Sequence, residues 1–441
     1  MNAQDNAPSQ RAFIHAFGKI GLLSFGGPAA QIAVMHRVLV EEKGWLSEQQ
    51  FLHALNFCML LPGPEAMQLT TYAGWLMKGV RGGVIAGMLF VMPGLVMMLA
   101  LSSIYVAYGD VPLLAGVFYG LKAAVIAVVL QALVKLTGKT LKAPMLYAIA
   151  MAAFVGIFFL RVPFPLIILA AALSGALLRL RLPQTPPVGE QIVESAVPQN
   201  LSATGQSVRA ILIWGGLWLV PLGLLTVLYP GGFAQQAALF FSQLAVVTFG
   251  GAYAVLAYVS QQAIEVYGWL SAADMLKGLG LAETTLGPLV LVLVFVGFVG
   301  GANAGEGVSH LAGLWGGLLA AFFTFVPCFV WVFVGAPHVE RLRQVQWLNS
   351  ALTAVTAAVV GVIANLAVWF ALAVLFGAPK YRQRGPIWLP DADFSKLDLW
   401  AGLLAVIAII ALLRFNVNLM AVLAAAAFAG MALVTAGIVA A

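Results

Sequence analysis

Apolar residues fall in long blocks along this chain, each near the length of a membrane-crossing helix, with short polar joints between them. A helix needs about 20 mostly apolar residues to cross hydrocarbon. Runs of that kind occupy 12–35, 53–77, 84–108, 113–136, 145–160 and 163–180 in the first half. A lone run lies at 209–229, and 236–258, 276–301, 315–335, 350–376, 398–413 and 416–440 follow it. The pairs 145–160/163–180 and 398–413/416–440 are short and tightly joined, so each is a candidate thin hairpin that does not cross fully. Residues 182–207 are the one long polar stretch, with Pro183, Pro186, Pro187 and Pro198, and have the composition of a linker. A second polar insertion, 377–397, sets Lys380, Arg382 and Arg384 against Asp391 and Asp393. The expected divisions are an N-terminal repeat over 1–181, a polar linker over 182–208, a connecting transmembrane segment over 209–229 and a C-terminal repeat over 230–441.

Composition agrees with this pattern. Hydrophobic residues make up 62% of the chain, charged residues 9%, and the mean hydropathy is +0.99. A soluble domain carries about 25% charged residues. The expected fold class is therefore an all-α integral membrane protein with about 10–13 transmembrane segments. The polar start lacks a short apolar core with a small-residue cleavage site, so no removable signal peptide is expected. The net charge of +6 comes mostly from basic residues that flank apolar runs, which suits a topology signal rather than nucleic acid. Cys58 and Cys328 belong to no metal-ligand spacing, and no glycine-rich nucleotide loop occurs. No cofactor, metal or enzymatic activity is expected, and an ion gradient or the membrane potential would drive any pumping.

The two halves repeat each other. Phe25-Gly26-Gly27 matches Phe249-Gly250-Gly251, Gly44-Trp45-Leu46-Ser47 matches Gly268-Trp269-Leu270-Ser271, and Gly63-Pro64 matches Gly287-Pro288, all at an offset of 224. Gly82-Gly83 with Pro93 aligns with Gly316-Gly317 and Pro327 at 234. Seven candidate spans separate the two starts, or five if the first two segments are re-entrant, and either odd number predicts inverted-topology repeats. Basic residues swap loops accordingly: Lys78 and Arg81 have no counterpart at 302–315, whereas Arg341 and Arg343 stand where 109–112 has only Asp110. The positive-inside bias then puts Lys78/Arg81, Lys139/Lys142, Arg179/Arg181 and Arg341/Arg343 in the cytoplasm, with the N-terminus inside and the C-terminus outside. The 377–397 loop is the misfit to that orientation.

Breaks inside the apolar runs carry the candidate chemistry. Ser24-Phe25-Gly26-Gly27-Pro28 and Leu61-Pro62-Gly63-Pro64 interrupt the first two runs; Thr248-Phe249-Gly250-Gly251 and Thr284-Thr285-Leu286-Gly287-Pro288 interrupt their counterparts. Proline and glycine disfavour a continuous helix there. Backbone groups freed in hydrocarbon need partners, so such breaks are expected where backbone lines a buried or wet cavity. Each break also leaves a half-helix N-terminus whose N–H groups and positive dipole end favour an anion. Simple kinks or close helix packing would use glycine in the same way.

The polar residues around the breaks are Ser24, Gln31, Asn56, Gln68, Thr70 and Thr71 in the first half, and Thr248, Thr284, Thr285 and Asn303 in the second. Their donors suit a tetrahedral oxyanion, and interhelical hydrogen bonds would employ them equally. Lys19 and Lys122, with Gln243 and Thr353 opposite, are candidates to neutralise a dianion or to snorkel to the interface. Glu65 and Glu283 beside the Gly-Pro breaks are candidate proton or ion couplers, or else helix caps. The Ser47-Glu48-x-Gln50 and Ser271-x-x-Asp274 patterns predict capping boxes, and Trp45 and Trp269 suit the membrane interface.

These motifs carry a resemblance. Ser24-Phe25-Gly26-Gly27-Pro28 with Gln31, then Trp45-Leu46, then Leu61-Pro62-Gly63-Pro64 with Gln68, resemble the motifs of the chromate ion transporter family in its long, two-domain form. Phe249-Gly250-Gly251 and Glu283-Thr284-Thr285-Leu286-Gly287-Pro288 look like the C-terminal versions, with Leu286 where a proline is expected. The resemblance implies secondary export of chromate across the inner membrane of a bacterium, by two oppositely oriented domains. The implied partners are a small oxyanion and the lipid bilayer, without nucleic acid, and a homo-oligomer is compatible with it. Sulfate or another tetrahedral oxyanion, and a passive anion channel, are the alternatives that the same residues allow. Bringing the readings together, the candidate substrate-binding residues are Lys19, Ser24, Gly26, Gly27, Gln31, Gly63, Gln68, Lys122, Thr248, Gly250, Gly251, Thr284, Thr285 and Gly287.

Overall fold

The computed structural model describes residues 8–25, 27–109, 111–178, 203–249, 252–305, 307–339, 345–377, 380–391 and 393–439. Helix α1 (Gln10–Leu23) starts at Ser9, whose side chain accepts from the Ala12 N–H, and stops at the first break. Helix α2 (Gly27–His36) runs on as a π turn, Arg37–Glu42. Helix α3 (Glu48–Cys58) opens on the expected capping box, Ser47 with Gln50, and leads to the second break. Then come α4 (Glu65–Tyr108), α5 (Pro112–Thr140), α6 (Pro144–Phe158) and α7 (Phe164–Leu178). Helices α8 (Ala203–Ala210) and α9 (Gly216–Leu228), joined by a π turn, form the connecting segment; α8 begins inside the stretch read as linker.

The order of elements then recurs. Helix α10 (Phe233–Val247) matches α1, and α11 (Ala252–Gln261) with its π turn Gln262–Val266 matches α2. Helix α12 (Ala272–Thr284) matches α3, including a capping box between Ser271 and Asp274. A 3-10 turn (Leu289–Leu291) and α13 (Val292–Ala302), followed by α14 (His310–Gly335), match the two parts of α4. Helix α15 (Gln346–Phe376) matches α5, and α16 (Leu399–Leu413) and α17 (Leu419–Thr435) match α6 and α7.

The first two apolar runs of each half are not single rods. Every one folds back at its break. Lys19 reaches Glu42 at 2.7 Å, and the rings of Phe57 and Tyr72 are 4.9 Å apart. Phe240 and Tyr258 lie 5.8 Å apart, and Gly278 packs against the Phe295 ring. Residues 15 apart in one straight helix would be separated by about 22 Å. Helix α4 also folds back, at Lys78 (φ −139°, ψ 23°) and Gly79 (φ 61°, ψ −156°). A Cβ on Gly74 would lie 2.5 Å from the Gly82 carbonyl oxygen and 2.6 Å from the Ala86 methyl. In the second half Gly297 meets Gly316 and Ala320 in the same way, so small residues bring both hairpins to backbone contact.

The halves interlock. Helix α5 packs on α16 and α17 of the other half, and α15 packs on α6 and α7. Gly120 meets the Ala426 carbonyl, Gly361 meets the Ala150 carbonyl, and Gly175 meets Ser350. The insertion at 377–397 is a two-stranded antiparallel hairpin, β1 (Lys380–Arg384) and β2 (Ile387–Asp391). Its charges are matched locally: Arg382 pairs with Asp391 at 3.1 Å and Lys396 with Asp393 at 3.7 Å. Hydrogen bonds from the Ser395 hydroxyl and N–H hold the Asp393 carboxyl below its ordinary range. Local pairing explains how a loop that fits the positive-inside pattern poorly can still be accommodated. Arg179, Arg181, Arg341 and Arg343 lie outside the described residues.

A side chain at position 120 has no room. Gly120→Val is expected to cost about 1–3 kcal/mol or more by overpacking. Gly18, where an added Cβ meets nothing within 4 Å, is the control: Gly18→Ala should leave stability nearly unchanged. Thermal unfolding of the purified chain in detergent checks both.

Candidate anion site at the helix breaks

The four breaks are joined in two pairs by two backbone hydrogen bonds. The Gly63 N–H donates to the Thr248 carbonyl at 2.8 Å, and the Gly287 N–H donates to the Ser24 carbonyl at 2.8 Å. Positions 63 and 287, and 24 and 248, are each 224 apart, so one contact is made twice, once in each direction between the halves. Gly63 (φ 118°) and Gly287 (φ 81°) hold a left-handed backbone that only glycine adopts freely. That conformation turns their N–H groups toward helix-end carbonyls that have no intrahelical donor. Leu286, in place of the expected proline, leaves this geometry intact.

Side chains complete the junction. The Gln31 amide donates to the Gly287 carbonyl at 2.6 Å, and the Gln68 amide donates to the Pro62 carbonyl at 2.6 Å. Both side chains are fully buried, and neither Oε1 has a partner. An amide NH2 has two N–H groups, so each glutamine has donor capacity beyond the bond described. The Thr71 hydroxyl, three residues further along α4, is also buried without a partner. The hydroxyls of Ser24 and Thr248 close their own helices, donating to Ile20 at 2.6 Å and Leu244 at 2.5 Å. Those of Thr284 and Thr285 likewise donate to Leu281 and Ala282. Ser24 and Thr248 therefore contribute backbone carbonyls to the junction, and the hydroxyl protons of all four residues are already committed. Gly27 (φ 82°) opens α2; Gly26, Gly250 and Gly251 lie outside the described residues.

Each break is followed at once by a helix start: Gly27, Glu65, Ala252 and the turn at Leu289. Pro64 before α4 makes no side-chain cap. Glu65 is the acidic residue of that first turn and is half-buried. Glu283 is 3% exposed; the Tyr253 hydroxyl donates to its Oε1 at 2.9 Å, and Oε2 has no partner.

The two lysines are engaged elsewhere. Lys19 is 39% exposed and paired with Glu42. Lys122 lies 4.0 Å from Asp398 and over the Tyr119 ring at 4.4 Å, near the start of α16. Neither has a described contact with the junction. Sequence reasoning passed over Tyr253, which stands two residues after Gly251, and the position of Cys328. The Cys328 sulfur would be 3.1 Å from a Cβ on Gly63, and its repeat partner Gly94 packs against the Leu286 carbonyl. The alignment of Pro327 with Pro93 was the available signal. Among the described residues no group of His, Cys, Asp and Glu is set to hold a metal.

Half-helices that meet at the contact between two repeats are an architecture of membrane transporters. The family model described as chromate transporter matches residues 11–176 and 235–431, and the chain belongs to this family. A chromate transport protein of Pseudomonas aeruginosa is 31% identical over 400 residues, which span 89% of this chain and 88% of that one. A probable chromate transport protein of Synechococcus elongatus is 30% identical over 85% of this chain and 88% of its own length. A chromate transport protein of Cupriavidus metallidurans is 28% identical over 92% and 88%. No solved structure matches the chain.

Removing one glutamine strands a buried carbonyl. Gln31→Leu is expected to destabilise the protein by about 1–3 kcal/mol through the orphaned Gly287 oxygen. Chemical denaturation in detergent reads this, and a change below a few tenths would contradict the role given to that bond.

Proposed function

We propose that this protein exports chromate, bound as a tetrahedral dianion at the junction of the four breaks. Membership of the family supports the transport role. The site rests on one observation: reciprocal Gly63 and Gly287 bonds gather four half-helix starts around the buried, part-paired amides of Gln31 and Gln68. Free N–H groups and the positive ends of the half-helices favour an oxyanion there. The amide and hydroxyl donors of Gln31, Gln68 and Thr71 face it, and Gly63 and Gly287 allow backbone to approach closely.

The two halves are related as inverted repeats about this junction. The exchange of α16–α17 for α6–α7 between the long helices supports that relation, as does the odd number of crossings between repeats. The face with Lys78, Arg81, Lys139 and Lys142 is cytoplasmic under the positive-inside bias, which puts the N-terminus inside. The membrane is the inner membrane of a bacterial cell. Glu283, buried with Tyr253, and Glu65, at the α4 start, exchange protons as the dianion passes. A proton on Glu65 removes a negative charge from a helix end that the anion needs.

Everted membrane vesicles test this directly. Chromate should accumulate, sulfate should compete, and an uncoupler should abolish accumulation. Gln68→Leu and Glu283→Gln should each lower the rate about tenfold or more while the protein stays folded, the loss expected when an interaction of roughly 1.4 kcal/mol is removed from the translocating state. Normal rates in both variants would remove the junction as the site. Accumulation that ignores the uncoupler would remove proton coupling.

A further inference from the structure

Helices α2 and α11 are repeat partners, and each lines a cavity toward the end away from its break. Four lining positions of each are equivalent, 224 apart: Ala33, His36, Arg37 and Glu41 beside α2, and Ala257, Ser260, Gln261 and Glu265 beside α11; the other walls differ, α3 for the first and the α6–α7 turn, α15 and Tyr381 for the second. The space beside α2 is a shallow depression open to the surface, whereas the one beside α11 is more enclosed, about 40 Å³. The enclosed one has room for only a few waters.

The small cavity is closed by specific contacts. Helix α11 packs along α15 there, and among the described residues α2 has no such packing on α5, the partner of α15. Arg161, in the α6–α7 turn, reaches Glu265 at 3.3 Å. Its guanidinium lies over the rings of Tyr381 and Trp388 at 4.2 and 4.8 Å. The Trp388 N–H fastens the β-hairpin to the Phe159 carbonyl at 2.8 Å. The same turn occurs between α16 and α17, with Val417 bonded to Ala411 as Val162 is to Gly156. Both turns place a non-glycine residue at positive φ, Arg161 at 51° and Asn416 at 50°. Asparagine tolerates that conformation and arginine does so at a cost, so the arginine needs a reason in what it touches.

We propose that Arg161 and Glu265 are the gate on the β-hairpin side, and that this structure is the transporter closed there. This rests on the transport reading above. Movement of α11, which starts at a break, parts the pair and widens the small cavity. The freed guanidinium then receives a tetrahedral oxyanion in the two-pronged way it receives a carboxylate. Asn416, uncharged, occupies the matching turn at the other end, so this ion-pair latch belongs to one face only.

A cysteine in place of Gln261 reports the gate through its rate of reaction with a membrane-impermeant maleimide; Cys58 and Cys328 are both buried. From the hairpin side the parent Gln261→Cys chain should label slowly. Adding Glu265→Gln or Arg161→Gln should speed labelling about fivefold or more, the factor expected for loss of a part-buried ion pair. The charge exchange Arg161→Glu with Glu265→Arg should restore slow labelling. Sulfate in excess should speed the parent, and its failure to do so would overturn the anion contact. Equal rates in the parent and both single variants would overturn the gate. Chromate flux in the same vesicles separates the two proposals: labelling as expected without flux keeps the gate and removes the transport reading.

Discussion

A polar backbone group set free inside hydrocarbon must find a partner, and this fold is arranged around meeting that demand four times. Each break frees carbonyls at one helix end and N–H groups at the next. The halves solve this for one another, because Gly63 serves the end of α10 and Gly287 serves the end of α1. Neither half could close its own breaks in this way. The glutamines Gln31 and Gln68 take up two of the remaining carbonyls, and the helix starts stay aimed at the junction.

Symmetry in the backbone is combined with difference in the side chains. Gln31 has Val255 opposite it, Gln68 has Val292, and Glu283 has Met59. The contact that holds the junction is duplicated, while the polar side chains around it are not. The ends of the molecule differ in the same sense, with Arg161 at one turn and Asn416 at its copy. Two interlocked copies supply the frame, and the unmatched residues make its two ends unlike.

Much of this was legible in the chain. The offset of 224, the Gly-Pro breaks, both capping boxes and the two short hairpins all follow from local rules about glycine, proline, caps and apolar length. The folding back at the breaks and at Gly79 was less legible, since apolar length alone does not distinguish a rod from a pair of half-rods. Partners distant in sequence were not legible at all. Lys19 and Lys122 stood out as charges in apolar runs, but Glu42 and Asp398 meet them only through tertiary packing. The hydroxyls of Ser24 and Thr248 suggested ligands, yet a helix end offers them a carbonyl one turn back. Arg161 and Glu265 drew no notice because each sits at an end of an apolar run, where basic and acidic residues are ordinary.

The docking of α5 on α16 and α17 sets a timetable for the ribosome. Gly116 of α5 meets Gly430 and Met431, more than three hundred residues later in the chain. At about 5–20 residues per second, roughly 15–60 s pass between the synthesis of these two surfaces. Throughout that interval the long helix of the first half is covered by lipid instead of protein, and for the first part of it Gly63 awaits a carbonyl from the end of α10. The nascent chain is therefore most exposed to misassembly and proteolysis before its last two helices arrive, and a truncation near residue 400 would leave the protein permanently in that unfinished condition.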